Sequence, residues 1–239
     1  MVNPNPNSVF SDVSNQPVLV VVEQKGSDEI ECKERVIAGY KVIEKMAAEG
    51  VSDIRFMVVG GANNGVLPKT IESWIPGKDH NKLYIDNKAG NTHEKALSIV
   101  DYVVSEKIKT IFQVTSLYHS LRAYLTTLKA FFKKDIAAPQ FYNLVCDSDN
   151  LSDIHFAICD ELLLAKSLNG GLKFGLPQNA FELVRMDNLF SNNDPGLNKY
   201  FHYRLGEAKR IAEYSEEGKN HLTTNINAGD ILATYIVSK

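Results

Sequence analysis

Cysteine is scarce in this chain, tryptophan occurs once, no apolar run is long, and neither sign of charge dominates. Of the 239 residues only Cys32, Cys146 and Cys159 are cysteine. An odd count without CxxC or Cys/His zinc spacing argues against a disulfide framework and a structural zinc site, and for buried, reduced thiols. The formal net charge is −3, with lysines scattered along the chain. No basic stripe gathers a polyanion, so nucleic acid is not an expected partner. No segment approaches the roughly 18 apolar residues that cross a bilayer. The opening MVNPNPNSVFSDVSNQ has neither the basic nor the apolar region of a signal peptide. A cytoplasmic chain with no membrane partner is the expectation. A Pro/Gly/Ser-rich linker is also missing from the middle, which favours one domain with a C-terminal elaboration over two domains. What remains, 44% apolar and 23% charged residues, is the composition of an ordinary globular protein.

Strands and helices alternate through the first two thirds. Val18 to Val22 is a continuous β-branched run of the kind covered on both faces in a parallel sheet. From Glu29 to Glu49 the residues Ile30, Val36, Ile37, Tyr40, Ile43 and Ala47 recur at helical spacing, and Gly50 stops the helix. Strands are expected at Ile54 to Val59, Lys82 to Asp86, Thr110 to Thr115 and Gln140 to Val145, with helices at Asn91 to Glu106 and Leu117 to Lys133. The stretch from Ala62 to Asn81 reads as a loop with one short helix at Lys69 to Ser73. Right-handed crossovers between such strands give an α/β, Rossmann-like three-layer sandwich on a mostly parallel five-stranded sheet. Beyond Ser148 the pattern turns helical, at Asp153 to Ser167, Pro177 to Leu189 and Leu197 to Glu217, with an edge strand near Ile231 to Val237. The expected division is a mobile arm over 1–16, the α/β domain over 17–166, and a helical extension over 167–239 packed on the same domain.

In open α/β sheets ligands bind beyond the carboxyl ends of the strands, where helix N-termini offer N–H groups and partial positive charge. Three strand ends carry polar residues. Gly60 and Gly61 allow close backbone approach but lack both GxGxxG and GxxxxGK[ST] spacing, and a plain turn needs the same glycines. Asn91, Thr92, His93 and Glu94 fit a capping box, which structure alone can require, or a ligand contact. The segment TSLYHSLR is the stronger candidate: Thr115 and Ser116 close a strand, and His119 and Arg122 follow Ser116 at steps of three on one helix face. Arg122 sits roughly 9 Å along the axis from Ser116, within reach of an anion held at the helix start. Its guanidinium offers a planar fork, His119 a proton, and the hydroxyls the rest of a cradle. A solvated helix face with a capped N-terminus is the alternative, and Leu117, Leu121, Tyr124, Leu125 and Leu128 form the core-facing stripe.

The order of these pieces resembles the YdcF/SanA-like family, bacterial proteins of unknown function with a Rossmann-like sheet. The resemblance rests on Val18 to Val22, Arg35, Gly60, Gly61, Asp86, Asn91, Thr92 and Glu94, then Val114, Thr115, Ser116, Tyr118, His119, Arg122 and Ala123. It covers about residues 17–166, with Glu161 and Lys166 in the position of the family's late Glu/Lys helix. The chain departs from the pattern at Lys95, where asparagine is usual, and at Glu23, where a small residue is frequent. No membrane anchor of the SanA type is expected. The resemblance implies a nucleotide-like ligand, S-adenosylmethionine or a nucleotide among them, and settles no reaction. It also implies that Arg35 faces the same anion.

Three functions follow from these readings. The first is a small-molecule-binding protein, with group transfer as one use of the site. It holds a nucleotide-like or phosphorylated anion among Arg35, Gly60, Gly61, Asp86, Asn91, Thr92, Glu94, Thr115, Ser116, His119 and Arg122. The second is a hydrolase in which His119 activates water or Ser116, oriented by Asp86 or Glu94. No GxSxG elbow exposes that serine, and no HxxxH or clustered His/Asp spacing supports a metal. The third is a regulatory or scaffold protein whose sheet binds no ligand. Oligomeric state is not legible in the sequence.

Overall fold

A computed structural model describes residues 15–146, apart from 27 and 63, together with Val13, 210–211 and 234–236. Residues 1–12 and 14 of the mobile arm expected over 1–16, the three C-terminal helices apart from 210–211, Cys159, Glu161 and Lys166 lie outside the described residues. Within them the order is β1 (Val18–Glu23), α1 (Glu29–Ala48), β2 (Ile54–Val59), α2 (Pro68–Ser73), a 3-10 turn (Gly77–Lys82), β3 (Leu83–Asp86), α3 (Thr92–Ser105), β4 (Thr110–Thr115), α4 (Leu117–Lys133), β5 (Gln140–Val145) and β6 (Thr234–Ile236). The sheet runs β3-β2-β1-β4-β5-β6, and every pairing is parallel. A five-stranded Rossmann-like core is therefore present, and the edge strand near the C-terminus adds a sixth.

Strand alternation sorts the core into two halves. Val18, Val20, Val22, Phe56, Val58, Phe112 and Val114 pack beneath α1 with Val36, Val42 and Met46. Leu19, Val21, Met57, Val59 and Ile111 face the other way, onto Ala96, Ile99, Val100 and Val103 of α3 and Phe131 of α4. Because successive side chains take opposite faces, Glu23 continues the Leu19–Val21 series, and Gln113 and Thr115 continue that of Ile111. Polar residues thus replace apolar ones at one end of the face beneath α3 and α4. The strand order reverses between β1 and β4, so their carboxyl ends open a crevice there.

Helix α1 corrects its expected face. Ile30 is 76% exposed, and Ile37 and Ala47 are also exposed. The buried side is Cys32, Arg35, Val36, Gly39, Val42, Ile43 and Met46. Gly39 makes this packing close, since a Cβ there would lie 2.6 Å from Val22 Cγ2. Asp28 caps the helix by accepting from the Glu31 N–H at 3.0 Å. Cys32 and Cys146 are buried and unbridged, and burial pushes the Cys32 thiol up to about 11. Among the described residues no helix is long and apolar enough to cross a membrane.

Candidate functional site

The crevice is built around Glu23, the last residue of β1. Its carboxylate is fully buried and accepts from Gln113 Nε2 on β4 and from His119 Nε2, at 3.1 Å, on α4. Lys95 Nζ of α3 lies 3.7 Å away and donates to the Gln24 carbonyl. Burial alone would raise the Glu23 carboxyl, but the His119 hydrogen bond and the charges of Lys95 and Arg35 outweigh it, holding the group at about 2. Burial pushes the Lys95 ammonium below its ordinary range, against the pull of Glu23.

Arg122, one turn beyond His119, donates NH1 to Thr92 Oγ1 at the start of α3 and NH2 to His119 Nδ1 at 3.1 Å. A guanidinium only donates, so Nδ1 accepts and Nε2 carries the proton given to Glu23. The chain Thr92–Arg122–His119–Glu23 therefore runs from one helix start to the central strand. His119 and Arg122 are each 6% exposed, so this face of α4 is not a solvated one.

From the opposite layer Arg35, 1% exposed, reaches the same strand ends. Its NH1 donates to the Glu23 carbonyl at 2.8 Å and its Nε to Ser116 Oγ at 3.0 Å. Ser116 in turn donates to Glu31 Oε1 at 2.6 Å, and Glu31 pairs with Arg35 and Lys25. Ser116 thus spends its hydroxyl proton on Glu31 and makes no side-chain cap to α4. Its hydroxyl bonds Arg35 and Glu31 rather than His119, so the serine–histidine pair of the hydrolase reading is not formed.

Glycine shapes the neighbouring edge. Gly60 has φ +112 and a Cβ there would stand 2.6 Å from Lys95 Cε, so only glycine leaves room for the buried lysine. Gln24 ties this turn down, donating to the Gly60 carbonyl at 2.8 Å and accepting from the Val66 N–H at 3.0 Å. The same Gln24 side chain packs against Gly61.

Of the residues singled out in the sequence, Arg35, Thr92, Ser116, His119 and Arg122 are joined by direct hydrogen bonds through Glu23. Gly60 and Gly61 border them. Thr115 is adjacent, because Val22 pairs with Val114 and sets Glu23 beside it. Its Oγ1 is buried and has no hydrogen-bond partner among the described residues. Asn91 and Glu94 instead complete the capping box: Asn91 Oδ1 accepts from the Glu94 N–H at 3.0 Å, and Glu94 accepts from the Gly90 N–H at 2.6 Å. Asp86 accepts from Ser98 and from the Lys88 N–H. Asp86 and Glu94 line a separate hollow of about 960 Å³ at the β3 edge, with Tyr84, Ser98 and Tyr102.

Glu23, Gln24, Glu31, Lys95 and Gln113 belong to the site and were not among the sequence candidates. Two carried a signal. Glu23 extends a five-residue apolar strand, and Lys95 lies on the stripe that Thr92, Ala96, Ile99 and Val103 bury. Ionic groups in buried positions need partners, and the partners form the site. No family model, curated protein or solved structure matches the chain, so its functional reading rests on this geometry.

Proposed function

We propose that the protein binds a small anionic molecule, nucleotide-like or phosphorylated, in the crevice beyond β1 and β4. The observation that carries this reading is the charge of the cluster. Arg35, Lys95 and Arg122 are all buried, against the buried Glu23 and the partly exposed Glu31. Counting Lys25, which pairs with Glu31 and Asp28, four cations meet three carboxylates among the described residues, an imbalance that favours an added negative group in a water-poor setting. The start of α3, where Thr92 meets Arg122, supplies N–H groups of the same polarity. The unpartnered Thr115 hydroxyl offers a further hydrogen bond. Resemblance to YdcF/SanA-like proteins points to S-adenosylmethionine or a nucleotide as ligands to try.

The test is a thermal-shift screen of the purified chain against S-adenosylmethionine, S-adenosylhomocysteine, nucleotides, sugar nucleotides and inorganic phosphate. A ligand at 100 times its Kd adds about 2.7 kcal/mol, which such a screen resolves. Arg122→Ala is expected to cost roughly 1.5 to 3 kcal/mol of that binding through loss of a charged hydrogen bond. Shifts of equal size in wild type and variant would remove the crevice from consideration, and no shift with any compound would favour the scaffold reading.

A further inference from the structure

We infer that the Glu31 carboxylate occupies the position of the ligand's phosphoryl group. This inference rests on the anion-binding reading of the crevice and names the subsite within it. Three groups hold Glu31: the Ser116 hydroxyl, the Arg35 guanidinium and the Lys25 ammonium. They come from three separate segments, the β4–α4 junction, α1 and the β1–α1 turn. Two cations and a hydroxyl converging on one carboxylate are the donor set that phosphate recognition uses, with Arg35 as the fork and Lys25 as the point charge.

The layering of the site gives the carboxylate its meaning. Arg35 and Ser116 are about 1% exposed, whereas the Glu31 side chain is 16% and that of Lys25 29% exposed. Among the described residues Glu31 is the more exposed partner of these buried donors, so an incoming anion takes its place to reach Arg35 and Ser116. The residue sits in the first turn of α1, where its side chain can swing outward without disturbing the Asp28 cap. Arg35 keeps its bond to the Glu23 carbonyl throughout, so the donors stay in place when the carboxylate leaves. A phosphate monoester carries up to twice the charge of a carboxylate and more acceptor oxygens, which favours the exchange. Glu31 thereby competes with ligand, and its removal strengthens binding.

Inorganic phosphate is the probe, titrated by calorimetry into wild type, Glu31→Gln, Glu31→Asp, Glu29→Gln, Arg122→Ala and the double variant Glu31→Gln/Ser116→Ala. Glu31→Gln is expected to bind phosphate about tenfold more tightly than wild type. Glu31→Asp keeps the charge but draws it back from Ser116, and is expected to gain by a smaller factor. The gain should vanish in the double variant, and Glu29→Gln, exposed in the same turn, should leave affinity unchanged. Equal affinity in wild type, Glu31→Gln and Glu31→Asp overturns the inference, as does a gain that survives loss of Ser116. If phosphate binding is lost in Arg122→Ala yet indifferent to Glu31, the anion sits at Arg122 and the crevice reading stands alone. No binding by any variant overturns both.

Discussion

Glu23 and His119 lie 96 positions apart in the chain, yet Oε2 of Glu23 and Nε2 of His119 are 3.1 Å apart in the interior. The histidine is oriented from its far side by Arg122, and the carboxylate is backed by Lys95 and Gln113. Neither partner can be altered without stranding a charge or a donor, and this makes the pair a sensitive reporter of the site.

Stability should depend on acid through Glu23. Its folded carboxyl titrates at about 2 against an ordinary 4.5, so the unfolded chain takes up the proton first as pH falls. The contribution is fully present above about pH 4.5 and is lost as pH drops towards 2. That difference corresponds to about 3 kcal/mol. Glu23→Gln leaves the buried Lys95 without its carboxylate and should be about 3 to 5 kcal/mol less stable near pH 6. Urea unfolding at stepped pH should show the gap between the two proteins closing across that window, whereas parallel curves would deny Glu23 this role.

Gly60→Ala should be destabilising by about 2 to 3 kcal/mol, from a backbone conformation that disfavours side chains and from collision with Lys95. The two causes separate in the double variant Gly60→Ala/Lys95→Ala. The backbone strain persists there and the collision does not, so the paired changes should cost about 1 kcal/mol less than their sum. Strict additivity in denaturant titrations would mean that Lys95 does not press on the turn.

Thr115→Val should leave the free protein unchanged or up to about 1 kcal/mol more stable, since the variant deletes a buried hydroxyl that has no partner among the described residues. Ligand affinity should move the other way, falling severalfold if the hydroxyl bonds the bound molecule. A variant less stable than wild type by more than about 1 kcal/mol would show that the hydroxyl already has a role in the free fold.

Much of the sheet was legible because its strands are short, largely apolar segments that alternate with helical patterns. Ile54–Val59, Thr110–Thr115, Leu117–Lys133 and Gln140–Val145 begin and end where the residues predict. Orientation within α1 was less so: of its stripe Ile30, Val36, Ile37, Tyr40, Ile43 and Ala47, Val36 and Ile43 are buried and Tyr40 is half-buried, but Ile30, Ile37 and Ala47 are exposed, because the helix turns Arg35 and Gly39 inward, where the crevice holds the guanidinium and the close approach to Val22 needs glycine. In the site, local spacing grouped Ser116, His119 and Arg122 correctly on one face. It could not show that Ser116 bonds Glu31 across 85 positions, or that Glu23 and Lys95 neutralise each other across layers. Those contacts come from the parallel register of β1 with β4, a nonlocal pairing that local periodicity does not encode.

The placement of Glu23 on the central strand also bears on how the chain acquires its shape. Its partners arrive one helix at a time, the Arg35 and Lys95 charges from α1 and α3, and finally the His119 hydrogen bond, with Arg122 behind it, from α4. Pairings of such long sequence separation form slowly, because loop closure is unfavourable until the late contacts repay it. Until α4 docks, the β1 carboxylate has only part of its retinue and is more stable in water than in the interior. An emerging chain that ends before residue 122 therefore has no finished crevice, and its charged groups come together only with the last step of collapse.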